Sequence, residues 1–284
     1  MTSPTWRAIR DRWQRDYFFR FGTGLVALVV LAAIFAPLLT SHDPLRGDLA
    51  RDSLAPPGSH FLLGADAQGR DVLARVLYGA RISLLVGIVS QSVAVSLGLL
   101  LGLVAGYYRG WVDLVVMRLA DVTLAFPSLL LLIAVAAAVR PSLLVIFVVI
   151  GVVGWAGMAR LVRAQVLVIG GSGFVLAARA LGATDRRIVW RHLVPNVRAA
   201  VIIIAMLGVA GAIMAEAALS FVGLGAAPPT PSWGAMVAEG RDLLRVAPWV
   251  SVAPGLAIGV AVLGFNLVGD GLREALEPET GRRT

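Results

Sequence analysis

The sequence predicts an all-α integral membrane protein with six transmembrane helices. Three observations carry this. Hydrophobic residues make up 58% of the 284 residues and charged residues only 15%, whereas a soluble domain of this size has about a quarter of its residues charged. The apolar residues are gathered in blocks, several of which reach the ~20 residues a helix needs to cross a ~30 Å hydrocarbon core. A large soluble protein with many buried helices does not sustain such long runs without charges.

The first span is expected from Phe21 to about Leu39, behind the basic stretch "RAIRDRWQRDYFFR". Its apolar part exceeds the ~7–15 residues of a signal-peptide core, so it reads as a retained anchor. The second runs from Ile82 to Tyr107, where Gly87, Gly98, Gly102 and Gly106 suit close helix packing. The third covers Val112 to Val139 and contains Pro127 in "AFPSLL". That proline predicts a kink, which either shapes a cavity or relieves packing. The fourth spans about Leu143 to Met158, the fifth Ala199 to about Leu219, and the sixth Trp249 to Val268.

All 25 basic residues are arginine, giving a net charge of +8, and they lie at segment ends. Such a balance suits nucleic acid or anionic lipid in a soluble protein. Here it fits arginines held on the cytoplasmic side, and no nucleic-acid partner is expected. With the N-terminus inside, residues 1–20, the turn near Arg109, residues 159–198 and the tail from 271 carry 16 arginines. The outside segments, 40–81, the turn near Arg140 and 220–248, carry 8, and Arg118 lies within the third span. Both termini are therefore expected in the cytoplasm.

Between the fourth and fifth spans the chain interrupts itself with "AARALGATDRRIVWRHLVPN", residues 177–196. Leu176–Leu181 and Asp185–His192 both suit helix, with Gly182 as the break between them and Pro195 as the stop. The residues leave two readings open. One is an interfacial helix whose arginines meet lipid phosphates. The other is a rigid plug for a groove in a cytoplasmic partner, which Ala177, Ala178, Ala180, Gly182 and Ala183 would let approach closely.

Elsewhere, the loop 40–81 is rich in Pro, Gly and Asp. It is either a solvated connection or a small extracytoplasmic feature that meets an external partner. Glu216 in the fifth span and Asp121 in the third are ionisable groups at membrane depth. Each, like Pro127, is a pore or gate candidate. The alternative for Glu216 is a structural partner to an arginine or a loop donor, and Asp113 and Asp121 can pair with Arg109 and Arg118. Trp233, behind Pro228, Pro229 and Pro231, and Trp249 suit an interfacial belt. His42, His60 and His192 are expected far apart, so no metal site forms. The chain has no cysteine and no nucleophile–base constellation. A membrane-embedded enzyme or a scaffold is the competing class. It would need facing polar groups at depth, and Glu216, Asp121 and Gln91 show no evident pairing.

The insert resembles the EAA loop of ABC importer permeases in Ala177, Ala178, Gly182 and the "HLVPN" of His192 to Asn196. One position departs: the family usually has glutamate where Leu176 stands. "FLLGADAQGRDVLARVLYGARISLLVG", "AGYYRGWVDLVVMRLADVTLAFPSLLL", "AEAALSFVGLGAAPPTPSWGAMVAEGRDLL" and "FNLVGDGLREALEP" are similar to the C-type permease subunits of dipeptide and oligopeptide importers.

That resemblance implies a type-I importer permease fold in a bacterial cytoplasmic membrane. Residues 1–80 would form the N-terminus, first helix and outer loop. Residues 81–270 would form the five-helix transmembrane domain, with the coupling insert at about 170–196, and 271–284 the tail. It further implies coupling to an ATPase through Ala177, Ala178, Gly182, Ala183, Asp185, His192, Pro195 and Asn196. The implied partners are a homologous B-type permease, two ATPase subunits that bind the ATP and magnesium, an extracytoplasmic substrate-binding protein, and membrane lipid. This chain has no G-x-x-x-x-G-K-[ST] loop, so no cofactor of its own is expected. Peptides are the expected cargo, with nickel, glutathione or a peptide antibiotic as alternatives.

Overall fold

The computed structural model describes residues 4–139, 142–225 and 229–276. Arg140, Pro228 and the tail from 277 on, with Arg282 and Arg283, lie outside the described residues. The elements are α1 (Pro4–Arg15), α2 (Tyr17–Ile34), α3 (Ala36–Leu39), α4 (Leu49–Asp52), α5 (Val72–Tyr108), α6 (Gly110–Ala125), α7 (Ser128–Ala137), α8 (Leu143–Gly170), α9 (Gly173–Ala180), α10 (Asp185–Ile188), α11 (Val194–Phe221), α12 (Trp233–Gly240) and α13 (Trp249–Leu276). Among the described residues no strand forms beyond a single bridge between Ala65 and Asp71. Five helices are long and apolar enough to cross a membrane, and a sixth crossing results if the bent pair α6–α7 is one span.

The bundle has two unlike ends. At one lie α1, the 108–110 turn, the insert and the end of α13. At the other lie the 40–71 loop and α12. Asp16 starts α2 by accepting from the Phe18 and Phe19 amides. Arg81 closes it, donating to the carbonyls of Ala33 (2.6 Å) and Ile34 (3.0 Å) that the helix end leaves free. The α5 helix is longer than the expected span because Asp71 caps it at Leu73, well before the apolar run begins.

The pairing of α5 with α8 shows why that span carries glycines. A Cβ on Gly98 would stand 2.5 Å from Met158 Cβ, and one on Gly102 would stand 2.6 Å from the Ala159 carbonyl. Only bare backbone permits this approach. Gly87 plays the same part against Val209 and Ile213 of α11.

Two expectations change. Pro127 does not merely kink the third span: α6 and α7 meet at 92°. Proline forbids the helical conformation to Phe126, which sits extended at φ −87°, ψ 140°, and it withholds a donor from the turn before it. Nor does Pro195 stop the insert. It occupies the first turn of α11, where a missing N–H costs nothing. The wide π turn Val189–Leu193 joins α10 to α11 without a gap.

Candidate functional site

The insert is an elbow with a defined corner. Its first helix, α9, ends in a Schellman motif: the Gly182 amide donates to the Arg179 carbonyl and the Ala183 amide to that of Ala178, both at 3.0 Å. This requires a left-handed residue, and Gly182 has φ +79°. Thr184 then caps α10 through the Arg187 amide. After the π turn, Asn196 Nδ2 donates to the His192 carbonyl at 2.6 Å, occupying an acceptor that the widened turn releases.

One side of the elbow is anchored. Val175, Ile188 and Leu193 are fully buried against Val162, Val166 and Val197. Tyr107, at the end of α5, donates to Asp185 at 2.6 Å, and the Arg179 guanidinium stands 5.8 Å from the Tyr107 ring. His192 packs against Phe174 at 6.0 Å. The other side is bare and mixed: exposed Arg186 and Arg187 stand beside Trp190. Leu176 is 51% exposed, Trp190 65% and Leu181 88%.

Of the residues singled out for coupling, Ala177, Gly182, Asp185, Pro195 and Asn196 are exposed, while Ala178, Ala183 and His192 are half-buried. All eight belong to this elbow. Tyr107 is the member the sequence reading missed. Its only signal was an aromatic pair at the end of a span. Between α5 and the elbow lies a cavity of about 540 Å³, lined by Leu100, Leu103, Tyr108, Arg186 and Trp190.

The pore and gate candidates lie apart from the elbow, with Asp121 and Pro127 close together at the end of α6 and Glu216 on α11. Glu216 is fully buried and accepts from Ser220 (2.7 Å) and Ser232 (2.8 Å). Ser232 caps α12 through the Ala235 amide, and Ser83 accepts from the Trp233 amide. Glu216 therefore holds the start of α12. Asp121 pairs closely with Arg160 of α8 and more loosely with Arg118 at 3.9 Å. Asp113 does not pair with Arg109: Arg163 of α8 clasps it with two bonds of 2.6 and 2.5 Å.

The end opposite the elbow is more built than a solvated loop. Asp66 is 2% exposed and accepts from the Gln68 and Arg70 amides, from Arg70 Nε at 2.7 Å and from Arg75. Arg75, buried to 1%, also donates to Glu239 of α12 at 2.8 and 3.2 Å. This network ties the loop to α12. Trp233 and Trp249 belong to the same layer, and Trp233 is too buried to sit in an interfacial belt. Trp233 is 2% exposed and donates to the Val76 carbonyl, and Trp249 donates to that of Ala65. His42 and His60 prove to be neighbours, with ring centroids 5.4 Å apart, and His42 bonds Asp71 at 2.9 Å. The folding of the loop brings them together. Even so, no group of three or more His, Cys, Asp or Glu able to hold a metal ion occurs among the described residues.

A bundle of apolar spans with an exposed elbow at one end and a largely buried polar layer at the other is the fold of a helical, multi-span membrane protein. The family model of the binding-protein-dependent transport system inner membrane component matches residues 98–282, and that of the N-terminal transmembrane domain of oligopeptide transport permease C matches residues 4–57. The chain is 41% identical over 274 residues to the dipeptide transport system permease protein DppC of Alkalihalophilus pseudofirmus, covering 96% of this chain and 90% of the relative. It is 42% identical to the di/tripeptide transport system permease protein DppC of Pseudomonas aeruginosa (95% and 92% covered). To the glutathione transport system permease protein GsiD of Pectobacterium atrosepticum it is 40% identical (96% and 93% covered). The chain belongs to the binding-protein-dependent transport system inner membrane components. It is thus a multi-pass inner-membrane subunit of an ABC importer, not itself an enzyme, and works with ATPase and binding-protein partners.

Proposed function

We propose that this chain is the C-type half of a peptide importer, paired with a homologous B-type permease and served by two ATPase subunits. ATP and magnesium bind on those subunits, and an extracytoplasmic binding protein delivers the cargo to the α12 end. Both termini and the elbow face the cytoplasm, a reading supported by the 16 arginines on that side against 8 on the other. The dipeptide and di/tripeptide permeases among the relatives support peptides as cargo. The glutathione permease supports a second reading, in which the cargo is that peptide thiol.

One observation carries the mechanism. The elbow is anchored by Val175, Ile188 and Leu193, bare at Leu176 and Leu181, and continuous with α11. A cleft of the ATPase closing on its bare side would move it as one body, and α11 would pass that motion into the bundle. Leu176 and Leu181 would supply by burial what the family's usual glutamate supplies by charge.

The test is uptake of labelled di-, tri- and longer peptides, and of glutathione, by cells with and without this chain. Loss of peptide uptake is the expected result. Loss of glutathione uptake alone selects the second reading, and loss of neither refutes both.

A further inference from the structure

Two features of α6 are incompatible with lipid, and they lie one helical turn apart. The first is a charged cluster. Asp121 stands eleven residues beyond Gly110 and Arg160 ten residues before Gly170, each about 15–16 Å from the elbow end of its helix. Arg160 is also seventeen residues, about 26 Å, from the far end of α8 at Leu143, so in a hydrocarbon core ~30 Å thick the pair lies toward its elbow side. Yet their side chains are 46% and 48% exposed on this chain, and that of Arg118 is 76% exposed. Charges at this depth face a bundle interior or a water-filled cavity. The better-buried pair Asp113–Arg163, at 17% and 33%, has no such problem.

The second feature is the break itself. The last turn of α6, Val122–Ala125, has no helical successor to donate to its carbonyls, because the chain turns by 92° at Phe126 and Pro127. Broken backbone at membrane depth is tolerated only where it is buried in protein or lines a wet cavity, and here Ala125, Phe126, Pro127 and Ser128 are all exposed.

We propose that this face of α6 and α8 lines the aqueous path taken by the cargo, and that Arg118 is the group in it that takes the cargo's free carboxylate. Asp121 and Arg160 satisfy each other. Arg118, with Asp121 no nearer than 3.9 Å as its described partner, keeps its donor fork open. The cluster therefore presents a net positive charge, fit for the one anionic group that every unmodified peptide carries whatever its sequence. The proposal rests on the peptide-importer reading for the identity of its ligand, but not for the wetness of the face.

The chain contains no cysteine, so a single Ala125→Cys, one turn above Asp121, reports alone. In membrane vesicles holding the assembled transporter, membrane-impermeant thiosulfonates of either charge are the probes. The expected result is that both label the cysteine, the anionic one faster by about tenfold or more, as a local positive potential requires. Adding Arg118→Gln should abolish that preference, slowing the anionic reagent and speeding the cationic one. Saturating dipeptide with binding protein should slow labelling. Reaction only with lipid-soluble maleimide, or with no reagent, overturns the proposal by showing lipid or a partner helix against this face. Labelling without charge preference overturns the role of Arg118. Wild-type transporter that takes up no peptide refutes the cargo reading, while the labelling pattern remains readable.

Discussion

The two ends of the molecule treat polarity in opposite ways. At the α12 end, charges are turned inward: Asp66, Arg70 and Arg75 are nearly or fully buried, and they spend their bonds on one another and on Glu239. At the elbow end, hydrocarbon is turned outward, with Leu176, Leu181 and Trp190 bare. The first arrangement is complete within one chain. The second leaves apolar groups uncovered within this chain. The contrast teaches that the α12 end is fixed by bonds internal to this chain, while the elbow is the end to which the proposed coupling assigns a partner.

The contrast breaks most severely if Arg75 is removed. Arg75→Ala removes the donor that joins Asp66 to Glu239; Asp66 keeps Arg70 Nε and two amides, so the cost is at most the about 3–5 kcal/mol of losing one partner of a buried pair. The expected outcome is a marked fall in thermal stability of the detergent-solubilised protein and in its abundance in the membrane. Leu181→Ser should do the reverse. It leaves stability unchanged, since the side chain is 88% exposed, and weakens ATPase binding by up to the ~1.5–3 kcal/mol of a buried leucine. Co-purification of the ATPase, set against the melting curve, separates these outcomes.

Gly182→Val sharpens the comparison further. A Cβ there meets nothing within 4 Å, so the cost is backbone strain of about 1–2 kcal/mol from the left-handed conformation. Uptake should fall while membrane abundance holds, and Gly182→Asn, which tolerates that conformation, should retain more. Unimpaired uptake by the valine variant would count against the elbow's geometry. Smallest is Tyr107→Phe, which deletes one hydrogen bond to Asp185, about 0.5–1.5 kcal/mol. A modest loss of uptake with unchanged melting is expected.

Hydropathy made the spans legible because each is a continuous run that must satisfy its own backbone bonds. The elbow was legible for a related reason: Gly182 and a polar insert between two apolar runs leave few alternatives. Pro127 announced an interruption but not its size, because 92° depends on what α7 packs against after the break. The clasp of Arg75 on Glu239 spans 164 positions, and that of Arg163 on Asp113 spans 50. In both cases several arginines were equally plausible partners until the helices were placed. His42 and His60 looked remote for want of any periodic pattern in the loop that folds them together.

From Asp185 to Phe221 the chain is a single helical rod of 37 residues, about 55 Å long at 1.5 Å per residue. Its near end is the elbow, and Glu216 on its far end grips α12 through Ser232. Such a rod is a lever with its fulcrum inside the bundle. A tilt of 10° about its middle would carry each tip about 5 Å in opposite directions. Under the coupling proposed above, a push at one face of the membrane would become an opening stroke at the other, with the rod as the link between them.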